Sequence, residues 1–199
     1  MNFKEYNKVS NLNYNDYCKY LQDKYGIPKK AYFTKGFSKN NISRTKEGLF
    51  VHHMKEDTAI MLSTVEIAKK NPYEFQLPEN LVYCDYLEHL FLHILICENP
   101  NPDHNKLEAV GIGGVENFII PQMNDFYSGY PIKLPWMQNC FNKVKDDYDV
   151  YKILVKRFKN HCFNYPLYNE KLIYSSFNES FGSWSVKNNK KVINDLKLL

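Results

Sequence analysis

The pattern of apolar and polar positions along this chain predicts first a lead-in and then one clear helix. Residues 1–12 are polar and show no regular period, so we expect them to be loosely held. From Tyr14 to Tyr25, aromatic and apolar side chains recur at the spacing of one helix face. Asn13 is a favourable N-cap for this helix, and Gly26 is a favourable end. The first segment is therefore predicted to be an amphipathic helix that packs one face against a core.

The middle of the chain predicts two short strands followed by a helix. Residues 49–53 and 81–83 are short apolar runs, which are typical of strands. After the second run, Asp85 and Glu88 stand in the arrangement of a capping box, which begins a helix. We expect that helix to end at about residue 97, before a stretch rich in Asn and Pro. The predicted order is strand, long insertion, strand and helix.

In the second half of the chain, the helical pattern is strong in some segments and interrupted in others. Residues 107–126 have a helical pattern that several glycines and a proline weaken. Residues 136–162 form the longest periodic segment, which either faces the core or pairs two copies of the chain in a homodimer. A break near Asp146 would divide that segment into two helices. Residues 167–184 are predicted to be irregular, and residues 187–199 to form a final basic helix.

Composition narrows the class of protein. At 199 residues, with 44% hydrophobic and 16% aromatic residues, the chain can bury a core, which excludes wholesale disorder. No apolar run reaches the roughly 20 residues that cross a bilayer, and the first residues lack the apolar segment of a signal peptide. The five cysteines are widely spaced and contain no CxxC pair, which favours reduced thiols. We therefore expect a cytoplasmic α+β protein in which two short strands are embedded in a mainly helical chain.

The formal net charge of +4 is mild, but the charge is unevenly distributed. Residues 19–46 contain eight Lys or Arg and one acidic residue, interleaved with aromatic side chains. Such a segment suits a phosphate backbone, although a lysine-rich protein can also carry it as a plain solvated surface. Because the segment directly precedes the first predicted strand, we predict DNA as the partner, with Lys35, Arg44 and Lys46 contacting it.

Four of the six histidines lie within 42 residues. His52 and His53 are adjacent at the end of the first predicted strand, and His89 and His93 are four apart on the predicted helix. Histidines at that helical spacing share one face and can chelate one cation, with a third nitrogen supplied from elsewhere. Adjacent strand residues point to opposite sides, so His52 and His53 cannot both supply it without a backbone distortion. The pattern predicts a metal site with one imidazole left as a base, although a helical histidine pair can also belong to a core.

This spacing resembles the motif of the HNH endonucleases, in particular the phage and intron enzymes, which belong to the ββα-metal or His-Me finger nucleases. The shared features are the histidine pair after a strand, Asn80 nine residues before His89, and His93 four residues later. The resemblance covers residues 48–96, about a quarter of the chain. It implies a ββα-metal finger, a short two-stranded hairpin plus a helix, with 26 residues between His53 and Asn80.

The resemblance also implies a role for each matching residue. His52, His89 and His93 would bind the metal ion. His53 would be the general base that activates water, and Asn80 would fix the loop and orient that base. Three imidazoles favour Zn²⁺, Ni²⁺ or Mn²⁺, whereas members of the family also use Mg²⁺. The bound cation would stabilise the leaving group during hydrolysis of a DNA phosphodiester bond.

Other interpretations stay open at this point. Phe50 stands where some members of the family carry an acidic residue, so the resemblance implies no acidic helper residue in this chain. Glu56 and Glu88 are alternative partners for the ligands, although Glu88 is better explained by the helix cap. A closed structural zinc site would need a fourth ligand, from His53 or Cys84. The competing functions are a non-catalytic, metal-stabilised nucleic-acid-binding module and a nuclease toxin or anti-phage effector.

These expectations divide the chain into three segments. Residues 1–47 form an N-terminal helix and a basic region, and residues 48–97 form the nuclease core. Residues 98–199 form a helical region to which the sequence assigns no role.

Overall fold

The computed structural model describes all residues from 1 to 199 and contains nine α-helices and one two-stranded sheet. The helices are α1 (Phe3–Val9), α2 (Tyr14–Tyr25), α3 (Val65–Ala68), α4 (Tyr86–Glu98), α5 (Ile120–Tyr127), α6 (Pro135–Asn142), α7 (Tyr148–Cys162), α8 (Glu170–Ile173) and α9 (Lys190–Lys197). The strands β1 (Phe50–His53) and β2 (Leu81–Cys84) pair antiparallel. A π-helical turn, Gly114–Ile119, leads directly into α5. The fold is thus mixed α/β and mainly helical, as expected, and a bilayer-spanning helix is not part of it.

Helix α4 is the centre of the molecule. All but two of its residues are buried, which is typical of a helix that is apolar on every side. It packs against α2, α7 and the π-helical turn. The Asp85 side chain accepts from the Glu88 amide, and the Glu88 carboxylate accepts from the Asp85 amide. The predicted capping box is confirmed, and it sets where α4 begins relative to His89 and His93.

The hairpin of β1 and β2 runs directly into α4. In its register, His52 lies opposite Val82 and His53 opposite Leu81. The two histidines therefore point to opposite sides of β1, as alternation along a strand requires. The insertion between the strands folds into short turns and the one-turn helix α3, without a further strand.

One hydrophobic core of 35 buried residues draws on all three segments of the chain. It includes Val9 of α1, so the expectation of a loosely held lead-in was wrong. Helix α1 forms because the Asn2 side chain caps the Glu5 amide and because α1 packs against α7. A smaller core, which includes Phe33 and Leu81, ties the basic region to β2.

The second half of the chain confirms the break that was predicted near Asp146 and corrects the start of another helix. Segment 136–162 is divided into α6 and α7 by a turn at residues 143–147. Its apolar face, including Tyr151 and Phe158, is largely buried within its own chain, so it faces the core, and the homodimer stays a prediction. Residues 107–111 are not helical, and the helical conformation begins only after Gly111, whose φ of 71° is left-handed. The stretch at 167–184 is irregular except for α8 and a 3₁₀ turn at Asn178–Phe181, and the final basic helix is present as the shorter α9.

Candidate metal centre

The end of β1 and the first half of α4 bring four side chains together. His52 comes from β1, His89 and His93 come from α4, and Glu56 comes from the tight turn that follows β1. One ligand atom from each of these residues lies within 4.8 Å of all the others. The three histidines are the ones that the sequence predicted as metal ligands, and Glu56 is an addition. We call His52, Glu56, His89 and His93 the His/Glu cluster.

The spacing within the His/Glu cluster suits a small cation. His93 Nε2 lies 3.2 Å from His89 Nε2, and Glu56 Oε2 lies 3.4 Å from His52 Nδ1 and 3.6 Å from His93 Nε2. Ligands bound tetrahedrally at about 2.0–2.1 Å are about 3.3–3.4 Å from one another. The residues present could therefore hold a metal ion.

Tyr14 orients the imidazole of His52. The Tyr14 hydroxyl donates to the carbonyl of Met54 at 2.9 Å, so it accepts from His52 Nε2, which is 2.8 Å away. This arrangement leaves the Nδ1 lone pair of His52 facing Glu56. Nδ1 is buried and has no hydrogen-bond partner, and leaving a buried polar atom unpaired costs about 1–3 kcal/mol. A bound cation would satisfy this nitrogen, so its isolation is the clearest mark of a metal site.

The backbone at Gly111 and Gly114 orients His93. His93 Nδ1 donates to the carbonyl of Gly111 at 3.2 Å, which leaves the Nε2 lone pair for the His/Glu cluster. The π-helical turn begins against the face of the same ring. A Cβ atom added at Gly114 would lie 2.5 Å from His93 Cε1 and 2.6 Å from Nδ1. A residue without a side chain is therefore required at position 114 for His93 to hold this orientation.

The protonation states of the His/Glu cluster also suit a metal. Burial lowers the pKa of His93 to about 4, and burial and the neighbouring imidazoles hold the pKa of His89 well below its ordinary value. Both rings are therefore neutral at about pH 7, which is the form that binds a cation. Burial by itself would raise the pKa of Glu56, but the interactions with the neighbouring imidazoles, His52 above all, outweigh it and lower the pKa. Neutral imidazoles beside an ionised carboxylate form a donor set for transition metals.

Glu56 is the member of the cluster that sequence reasoning did not select as a ligand. It lies four residues after His52, a spacing that places two side chains together in a helix but not in a strand. The 3₁₀ turn Met54–Asp57 reverses the chain immediately after β1 and brings Glu56 back to His52. The spacing of His52 and Glu56 therefore indicates a shared site only in combination with this turn.

His53, the predicted base, lies on the other side of β1 and outside the His/Glu cluster. Its side chain is buried against the ring of Tyr32, with 4.6 Å between the ring centroids. Gln76 donates through Nε2 to the carbonyl of Leu62, so its Oε1 accepts from His53 Nε2 at 3.1 Å. Nδ1 is then the free nitrogen of His53. Burial lowers the pKa of His53, which keeps the ring neutral.

Asn80 holds its own loop and makes no hydrogen bond to His53. Its side chain donates to the carbonyl of Glu74 at 2.8 Å, and its amide donates to the carbonyl of Leu77 at 2.9 Å. The loop-fixing contacts implied by the resemblance are present. The base-orienting contact is not, because the Asn80 side chain is committed to the loop and Gln76 occupies the position beside His53.

The residues predicted to contact DNA divide into two kinds. Lys35 and Lys46 are exposed and free to meet a phosphate. Arg44 instead donates to the carboxylate of Glu47 and to the carbonyl of Tyr25. Its guanidinium nitrogens are therefore used within the chain. Arg44 therefore holds the basic region in place, and its role as a phosphate contact stays a prediction.

Two cavities meet at His89. The first, of about 370 Å³, is lined by Glu56, His89 and His93 together with five apolar residues, three glycines and three uncharged polar residues, so the His/Glu cluster is open on that side. The second, of about 510 Å³, is lined by His89, Lys39, Trp136 and several hydroxyl-bearing side chains. His53 lines neither of these cavities. The candidate centre thus borders two cavities of different chemical character.

Comparison of the chain with protein-family models, with curated proteins and with solved structures found no match. The chemistry of the His/Glu cluster and its two cavities is therefore the basis for assigning a function.

Proposed function

We propose that this protein is a metal-dependent endonuclease of the HNH type that hydrolyses phosphodiester bonds in DNA. The observation that carries the proposal is the convergence of three imidazoles and one carboxylate at a centre open to a cavity. Catalytic metal sites keep an open position beside their protein ligands, whereas structural sites are closed. The order of the ligands, one from β1 and two from the helix after β2, is also the order that the HNH resemblance implies.

His52, His89 and His93 would hold the metal ion, and Glu56 would be the fourth ligand. Zn²⁺, Ni²⁺ and Mn²⁺ suit this donor set, and Mg²⁺ stays a candidate through the resemblance. When bound, the cation would supply Lewis-acid stabilisation of charge on the phosphate and its leaving oxygen. The neutral rings and their orienting contacts prepare the site for it.

The second cavity suits the approach of the nucleic acid. Lys39 provides a positive charge there, and Ser43 and Thr45 provide hydroxyl donors for phosphate oxygens. Trp136 and Tyr32 provide aromatic surfaces at the same cavity. The basic region therefore presents its phosphate-binding groups next to His89, and the exposed Lys35 and Lys46 extend the positive surface.

His53 is the proposed base because its ring is neutral and its Nδ1 is free. Glu56 is the weaker candidate, because a carboxylate with a lowered pKa accepts a proton poorly at about pH 7. Water must reach His53 past the ring of Tyr32, which lies against it and lines the second cavity. The proposal therefore requires a small displacement of Tyr32 when the substrate binds.

A plasmid-cleavage assay tests this proposal. Supercoiled plasmid is incubated with the protein and each of Mg²⁺, Mn²⁺, Zn²⁺ and Ni²⁺, and nicked and linear products are measured separately. His53→Ala should retain the metal but cleave about 10²- to 10⁴-fold more slowly, which is the usual effect of a positioned general base. His161→Ala is the matched control, because His161 is exposed, lies outside the His/Glu cluster and hydrogen-bonds to Glu98. Wild-type protein that leaves the plasmid intact with all four ions would contradict the function.

A non-catalytic, metal-stabilised nucleic-acid-binding module is the second candidate. One observation favours it: four protein ligands are enough to close the shell of a structural zinc ion. In that case metal removal should lower the melting temperature strongly, and the protein should bind DNA without cutting it. The two candidates therefore differ in the plasmid assay, whatever the effect of the metal on stability.

A further inference from the structure

The apolar cavity beside the His/Glu cluster carries an inference about the substrate. We propose that this cavity receives an unpaired nucleobase of the nucleic acid while the adjoining phosphate lies at the metal centre. The inference rests on the proposed nuclease function and extends it to how the substrate is held. The cavity volume of about 370 Å³ lies in the range of small-ligand sites, about 300–1,000 Å³.

The side chains at the cavity favour a flat aromatic group over a charged one. Neither Lys nor Arg lines it, and Glu56, its one carboxylate, would repel a phosphate. Met61 and Phe118 remain 47% and 49% exposed, so each offers an apolar surface that nothing in the chain covers. Nucleobases stack on such surfaces, and aromatic side chains are the usual platforms.

Polar groups at the same cavity can meet the edge of a base. The side-chain amide of Asn117 makes no hydrogen bond within the protein and can both donate and accept. Ser63 and Thr64 add hydroxyl groups to the lining. An apolar slot with a few hydrogen-bonding groups recognises a base by its faces and its edge together.

Two unusual backbone segments form this cavity. Met61 has a φ of 52°, in the left-handed region that a side chain of its size rarely adopts. The π-helical turn at Gly114–Ile119 carries Phe118 and Asn117, and such turns are frequent at functional sites. Strained backbone persists where the surrounding structure maintains it, and it is concentrated at ligand sites. Both segments line the cavity together with residues of the His/Glu cluster, so the cavity and the metal centre share one wall.

The base must be unpaired because a base inside a duplex cannot enter a cavity. An enzyme that takes a base into a pocket acts on single-stranded nucleic acid or turns the base out of the stack. Because His89 also lines the second cavity, the backbone would pass over the His/Glu cluster between that cavity and the first one.

Binding of two oligomers tests the proposal. One probe is a fluorescent oligothymidylate, and the other has the same length and backbone charge but carries tetrahydrofuran units without bases. Affinities are measured by fluorescence anisotropy with the metal-loaded protein, and electrophoresis checks that each probe stays intact. The wild type should bind the base-bearing oligomer about 5- to 150-fold more tightly, as expected for stacking of one base.

Substitutions then locate the base. Phe118→Ala and Asn117→Ala should each reduce the preference for the base-bearing oligomer and leave the affinity for the abasic oligomer unchanged. Phe163→Ala is the control, because it removes an exposed aromatic ring that does not line this cavity. Equal affinities of the wild type for both oligomers would overturn the inference. So would a preference that survives both substitutions but is lost in Trp136→Ala, because the bases would then stack in the second cavity.

The inference and the proposed function fail in distinguishable ways. If the wild type cleaves plasmid but binds the base-bearing and abasic oligomers equally, the inference that the cavity receives a base is wrong and the nuclease assignment stands. If it neither cleaves plasmid nor binds either oligomer, both are wrong.

Discussion

The hydroxyl group of Tyr14 is the most informative single group to remove. In the structure it joins His52 Nε2 to the carbonyl of Met54, and so keeps the proton of His52 away from Nδ1. Tyr14→Phe preserves the buried ring and deletes only this bridge. Without it, His52 can turn or carry its proton on Nδ1, the nitrogen that faces the other ligands. We expect weaker metal binding although no ligand has been changed.

The size of the effect follows from the contacts that are lost. Loss of a group that orients a metal ligand typically weakens metal affinity about 10- to 100-fold, which corresponds to about 1.4–2.8 kcal/mol. The metal-free protein should also lose about 1–3 kcal/mol of stability, because the carbonyl of Met54 and His52 Nε2 are left without their partner. The two effects are measured separately, by calorimetric titration with Zn²⁺ and by urea unfolding of the metal-free protein.

Tyr83→Phe is the matched control. The Tyr83 hydroxyl is also buried and donates to a backbone carbonyl, that of Ile42, at 2.8 Å. Tyr83→Phe should therefore cost similar stability but leave the dissociation constant for Zn²⁺ unchanged. If Tyr14→Phe binds Zn²⁺ as tightly as the wild type and Tyr83→Phe, the proposed orientation of His52 is wrong.

Three further predictions concern the site, its protonation and its surface. Gly114→Ala should lower metal affinity because the new Cβ displaces the His93 ring. Gly36→Ala is the control, because the nearest atom to its new Cβ would be 3.8 Å away, and titration of both variants with Zn²⁺ compares their affinities. Stability of the metal-free protein should fall as pH is lowered from about 6.5 towards about 4, because burial lowers the pKa of His93 and the unfolded chain therefore takes up the proton first. Urea unfolding at several pH values measures this stability, and a profile that stays flat over that range would contradict the prediction. Neutralising Lys35 and Lys46 together should reduce the slope of log affinity for DNA against log salt by about 0.9 for each phosphate contact that is lost, and an unchanged slope would place the DNA elsewhere.

The elements that the sequence predicted well are those with local signals. Helix α2 follows Asn13 and ends before Gly26, and α4 follows the Asp85–Glu88 capping box, because caps involve only residues within one turn. The three histidines came together as predicted for the same reason. The i,i+4 spacing of His89 and His93 needs only a helix, and the hairpin brings His52 to it.

The parts that could not be predicted depend on contacts between distant segments. Tyr14 reaches His52 across 38 residues, and Gln76 reaches His53 across 23 residues of an insertion with no periodic pattern. Nothing local indicates either contact. The resemblance implied that Asn80 orients His53, but the Asn80 side chain donates to the carbonyl of Glu74 in its own loop. The packing of α7 could not be predicted for the same reason. Its apolar period suits both a dimer seam and a core-facing helix, and burial against α4 is a contact between distant segments.

The metal content of the purified protein tests the central claim most directly. After equilibration with Zn²⁺ and removal of free metal, elemental analysis should give one ion for each wild-type chain. His89→Ala should lose that ion, because it removes a ligand from the His/Glu cluster, whereas His161→Ala should keep it, because His161 lies outside the cluster. A wild-type protein without metal, or full metal content in His89→Ala, would contradict the assignment of the centre.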